Sequence, residues 1–160
     1  MKAATVKQLK DELKYKSQED LVTLCLRLSR FKKENKELLT YLLFESHDET
    51  VYIQGIKEEI DVLFDDINTN SYFYIKKSVR KILRGIKKYS RYSLKKETEV
   101  ELLLYFCKKL KDFKPSIKRN VTLTNIYNRQ ILTIEKHLKT LHEDLQYDYQ
   151  LQLEDLQDPR

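Results

Sequence analysis

Only two glycines and two prolines punctuate these 160 residues. An all-β fold needs many tight turns, and tight turns draw on glycine, proline, asparagine and aspartate. A chain so short of two of these leaves helices as its main element. Two glycines, at positions 55 and 85, also cannot build a Rossmann or P-loop fingerprint, whose glycines cluster at fixed spacing. Apolar residues make up 41% of the chain, enough to oppose disorder although 35% is charged. No apolar run approaches the ~18 residues of a membrane span, so no membrane insertion is expected. The N-terminus runs from Met1 straight into charged amphipathic sequence and lacks the apolar stretch of a secretory signal. Cys25 and Cys107 each sit among leucines or aromatics and read as two buried free thiols in a reducing compartment. The expected setting is cytoplasmic.

Apolar spacing and helix start signals divide the chain. Val6, Leu9 and Leu13 predict a helix over 5–15. Ser17 and Asp20 form a near capping box before Leu21, Leu24, Cys25, Leu28 and Phe31. Leu38 to Phe44 is apolar almost all round, which predicts a segment deep in the core. Asp48 caps a helix over 49–67, and Asn68-Thr69-Asn70-Ser71 is a turn cluster. Further helices follow at 71–91 and 96–112. From 116 to 156 there is no Gly or Pro, and Tyr127, Ile131, Ile134, Leu138, Leu141 and Leu145 step by four and three. This predicts one long C-terminal helix, packed on the bundle or, as the best candidate for a homodimer seam, on a second copy. Residues 150–160 read as a loosely ordered acidic tail. The expected fold is all-α: one domain over 1–160, an antiparallel multi-helix bundle or αα-hairpin array of about six to seven helices. A hairpin turning near residue 70 would also set Gly55 against Gly85 in a close backbone crossing.

The main functional signal is charge. Between residues 76 and 96 stand ten basic residues and no acid, while the rest of the chain holds 21 basic and 25 acidic residues. The basic positions from 76 to 91 fall within an arc of about 140° at about 100° per residue. The apolar positions of the same helix occupy a separate arc. A one-sided Lys/Arg array is what binding to a phosphate backbone by counterion release requires. Arg80, Arg84 and Arg91 are the candidate bidentate phosphate clamps, and Lys77, Lys81, Lys87 and Lys88 add point charge. Tyr89 and Tyr92, at the C-terminal end, are candidate stacking groups. The acids of 48–66 and of the tail from 143 are the groups that would neutralise this stripe if it were internally paired.

Other chemistry is weakly signalled. His137 and His142 are five apart, not at the i, i+4 spacing that sets two ligands on one helix face. No catalytic group, metal site or cofactor is read from the sequence, and the chain is expected not to be an enzyme. Leu9-Lys10-Asp11-Glu12-Leu13, with Leu21-Val22-Thr23-Leu24 and Arg27-Leu28, loosely resembles SAP-type helix-extension-helix DNA-binding motifs. The glycine usual in that motif's connection is absent, and Glu19-Asp20 stand where it prefers basic residues. The stretches Leu26-Arg27-Leu28-Ser29-Arg30-Phe31 through Tyr41-Leu42-Leu43-Phe44-Glu45, and Leu141-His142-Glu143-Asp144-Leu145-Gln146-Tyr147-Asp148-Tyr149, look like an uncharacterised bacterial family of small all-helical proteins of unassigned function. The resemblance implies a bacterial cytoplasmic setting and transfers no site residue. The expectation is therefore non-enzymatic binding of nucleic acid or another polyanion through the basic face of 71–91. The alternative is a protein–protein adaptor or structural helical protein.

Overall fold

The computed structural model describes residues 1–158 and is helical, with no strand among the described residues. The helices are α1 (Val6–Leu13), α2 (Gln18–Phe31), α3 (Lys33–Thr40), α4 (Glu49–Asp65), α5 (Tyr72–Ser93), α6 (Lys96–Asp112), α7 (Val121–Leu138) and α8 (Glu143–Gln157). A π-helical turn spans Tyr41–Glu45 and a 3-10 turn spans Ile117–Arg119. Where the sequence reads as one domain, the chain divides into two compact units, Met1–Phe44 and Glu45–Arg160.

In the second unit α6 is the hub, packed by α4, α5, α7 and α8. The reason is its sequence: Val100, Leu102, Leu103, Leu104, Phe106, Cys107 and Leu110 are apolar on nearly every side, and all are buried. Its neighbours each contribute one stripe at helical spacing. α4 buries Ile53, Ile56, Ile60 and Phe64, and α5 buries Ile75, Val79, Ile82 and Ile86. The Phe64 ring lies 5.9 Å from Phe106 and 6.0 Å from Phe113. Asp48 caps α4 as expected, its Oδ1 accepting from the Val51 amide at 3.1 Å. Asn68 Oδ1 accepts from the Asn70 amide at 2.9 Å, closing the turn between α4 and α5.

The single long helix expected over 116–156 does not form. Its break needs neither Gly nor Pro. The Thr140 amide and hydroxyl both bond the His137 carbonyl, at 2.9 and 2.7 Å, so a side chain competes with the continuing helix for its acceptor. The Leu141 amide turns back to Leu138, and His142 Nδ1 accepts from the Asp144 amide to open α8. The reversal lets α8 bury Tyr149, Leu153 and Leu156 while packing on α6 and α7. Residues 143–157, including most of the expected loose tail, are thus a helix; positions 159 and 160 lie outside the described residues. Ile131, Ile134 and Leu138, read as packing on the bundle or on a second copy, are buried within the unit. The expected Gly55–Gly85 crossing also fails, because a Cβ at either position would meet no heavy atom within 4 Å. Both glycines lie off the buried stripes of their helices.

The first unit is built differently. Thr5 and Gln8 close a reciprocal capping box on α1, with Thr5 N to Gln8 Oε1 at 2.9 Å and Gln8 N to Thr5 Oγ1 at 3.3 Å. Ser17 Oγ caps α2 through the Asp20 amide at 3.1 Å. α2 and α3 pack together, and Asn35 Nδ2 donates to the Leu28 carbonyl at 2.9 Å. Of residues 1–44, however, only Tyr41 is buried. The segment Leu38–Phe44, expected in the core, leaves Leu42, Leu43 and Phe44 exposed. Cys25, expected to be buried, is exposed. An apolar pattern marks what a segment can bury, and here no helix of the unit is broad enough to cover it.

Candidate polyanion interface

α5 positions the basic residues through its own amphipathicity. Its buried stripe runs Ile75, Val79, Ile82, Ile86 and Ser90, and Lys77, Arg80, Lys81, Arg84, Lys87 and Arg91 are all exposed. Lys76 and Lys88 are half-buried. From Lys77 to Arg91 the helix rises roughly 21 Å at 1.5 Å per residue. None of Lys76, Lys77, Arg80, Lys81, Arg84, Lys87 or Arg91 forms an ion pair with a described residue.

Several acids of α4, α6 and α8 are engaged by groups outside the Lys77–Lys87 stretch. Glu49 receives hydrogen bonds from the Ser93 hydroxyl, from the Thr98 hydroxyl at 2.6 Å and from Lys95 Nζ at 2.9 Å. Asp61 is held by Lys109 at 2.8 Å and by the Tyr105 hydroxyl at 2.7 Å. The Lys109 hydrogen bond leads in drawing the Asp61 carboxyl below its ordinary range, and burial with the Asp61 contact pushes the Tyr105 hydroxyl up to about 12. Glu101 pairs with Lys57 and accepts from the Tyr149 hydroxyl. Burial, reinforced by Glu101 and Glu97, raises the Tyr149 pKa. On α8, Gln150 Nε2 donates to the Glu154 carboxylate; Lys111 Nζ donates to the main-chain carbonyls of Asp155 and Asp158 at 2.6 and 3.0 Å, contacts that fix the end of α8 and do not involve the two carboxylates. Of the ten stripe cations, Lys95 and Lys96 are salt-bridged, to Glu49 and to Glu99.

The two tyrosines are less available than sequence suggests. The Tyr89 hydroxyl donates to Glu59, 2.9 Å from Oε2, and its main-chain carbonyl accepts from the Tyr52 hydroxyl at 3.1 Å. Lys88 Nζ lies 4.6 Å from the Tyr89 ring centroid, and the Tyr92 ring meets Tyr89 edge-on at 6.1 Å. Tyr89 therefore anchors the end of α5 to α4, and Glu59 brings a negative charge there. The unpaired cationic stretch is Lys77 to Lys87. Sequence reasoning missed Glu59 and Tyr52 because each lies at least thirty residues from its partner.

Among the described residues no group of three or more His, Cys, Asp or Glu is placed to hold a metal ion. A cavity of about 320 Å³ between α4, α6 and α8 is lined by Lys57, Glu101, Tyr105, Lys108, Asp148 and Tyr149. Most of these polar groups already satisfy one another. No helix is long and apolar enough to cross a membrane. Compared with known protein families, curated proteins and solved structures, the chain has no match.

Proposed function

We propose that the chain is a non-enzymatic binding protein that takes the phosphate backbone of a nucleic acid, or a polyanion of similar charge density, on the exposed face of α5. The observation that carries this reading is the row of exposed cations from Lys77 to Lys87 without carboxylate partners. Paired cations would lose an existing partner on binding, whereas these release only counterions. Arg80 and Arg84, one turn apart, present planar donors to phosphate oxygens, and Lys77, Lys81 and Lys87 add charge along the same face. Tyr89 and Tyr92 stiffen the end of the helix in this reading. The adaptor alternative would use the exposed acids at the end of α4, Asp65 and Asp66, since Asp61 and Glu49 are engaged internally.

The test is fluorescence anisotropy with short labelled duplex DNA and single-stranded RNA at two salt concentrations. A site neutralising about five duplex phosphates loses roughly 500-fold in affinity between 50 and 200 mM salt. Arg80→Glu with Arg84→Glu abolishes binding and leaves the thermal midpoint within a few degrees, because neither side chain has a structural partner. Absence of binding at low salt overturns the reading.

A further inference from the structure

The first unit exposes more apolar side chain than its own helices cover. On α2, Leu24, Cys25, Leu28 and Phe31 form a stripe at helical spacing; Leu28 is 61% exposed and Phe31 78%. α1 adds Val6 and Leu9. Ordering a residue costs about 1–2 kcal/mol of backbone entropy, and burial of Tyr41 alone does not offset that over 44 residues. Leu24, Leu28 and Phe31 share one arc of α2, whereas Val22 and Leu26 lie on another, so the face left to dock is the Leu24–Leu28–Phe31 stripe.

The charges beside the stripe identify the occupant. Asp20 and Arg27 are seven residues apart, so both fall on the same flank of the α2 stripe. Neither has an ion-pair partner among the described residues. When two identical helices pack antiparallel about a two-fold axis, like flank meets like flank and residue i faces j while j faces i. Asp20 of one copy then meets Arg27 of the other, twice. Antiparallel packing also opposes the two helix dipoles. An anionic surface, lipid or nucleic acid, would instead be repelled at the Glu19-Asp20 end of α2. We propose that the exposed α2 face docks a second copy of this chain, antiparallel, with the two Asp20–Arg27 pairs flanking a crossing centred near Leu24, and Leu28 packing just beyond them.

Sedimentation velocity on the full chain tests this. The expected result is a concentration-dependent species of twice the 19.4 kDa chain mass. Asp20→Arg sets arginine against Arg27 at two places and raises the dissociation constant about tenfold. Asp20→Arg combined with Arg27→Asp restores the original value, a rescue that general destabilisation of the unit would not produce. Leu28→Asp, with helicity followed by circular dichroism, yields monomer. A chain that stays monomeric at its highest soluble concentration overturns the proposal, as does binding of the monomer to anionic vesicles through α2. A dimer indifferent to both Asp20→Arg and Leu28→Asp places the seam elsewhere and overturns it equally.

Discussion

Residues 1–44 and residues 45–158 carry the same kind of amphipathic helix, yet they treat their apolar side chains in opposite ways. In the second unit four helices lay their stripes on α6, whose buried residues extend around most of its circumference. In the first unit three helices, two of them with side-chain caps at their N-termini, bury Tyr41 and nothing else. Periodicity and capping decide whether a helix forms. Burial depends on having a neighbour broad enough to receive more than one stripe. The first unit has no such hub, and its apolar stripes stay exposed.

The two cysteines give the largest contrast. Burial pushes the Cys107 thiol up to about 12, and its side chain is fully covered by the second unit, whereas Cys25 is exposed. In dilute native protein Cys25 should react with a thiol reagent at the rate of a free thiol. Cys107 should react only through unfolding, slower by a factor on the order of 10³ or more. Raising the protein concentration should slow Cys25 alone if α2 pairs with a second copy. Equal rates for the two thiols would erase the distinction between the units.

Side-chain truncation should separate them next. Phe106→Ala empties the centre of the second unit and should lower its unfolding free energy by about 3–5 kcal/mol. Leu28→Ala, in monomer, removes a side chain already in water and should change stability by about 0.5 kcal/mol or less. Chemical denaturation measures both.

A smaller effect follows from His137, on α7, whose Nδ1 approaches Glu99 to 3.2 Å without completing a hydrogen bond. Burial lowers its pKa below 6.5, assisted by Lys96 and Lys136, and outweighs the opposing pull of Glu99. The unfolded chain therefore takes up this proton first as pH falls. Stability should be fully present above about 6.5 and decline from there down to the lowered folded value. His137→Gln should flatten that decline, which thermal melts across pH 5 to 7.5 would show.

The smallest effects should come from the glycines. With open space at both positions, Gly55→Ala and Gly85→Ala should each stabilise by about 0.5–1 kcal/mol. A loss at either site would reinstate a close approach.

What could be read from sequence was local. The helical class, the caps at Ser17 and Asp48 and the turn at 68–71 depend on residues within a few positions of one another. The candidate site was legible as a charge pattern along one helix. What could not be read was tertiary. The break at Thr140 comes from a hydroxyl that elsewhere sits quietly in helices, as Thr133 does when it bonds the Arg129 carbonyl within α7. The exposure of Cys25 and Phe44 depends on what is missing around them. The pinning of Tyr89 by Glu59 joins groups thirty residues apart.

The corner between α5 and α6 has a consequence for recognition. Leu94 turns it with φ of 60°, in the left-handed region, and Glu49 gathers Ser93, Lys95 and Thr98 around it. A leucine there costs about 1 kcal/mol relative to glycine, so the corner is held by its surroundings. If α5 takes a polyanion as proposed, it meets that ligand as a straightedge whose graduations are already set. The freedom surrendered on binding belongs to the polymer, so a stiff duplex, having less to surrender, should be preferred over a limp single strand of equal charge.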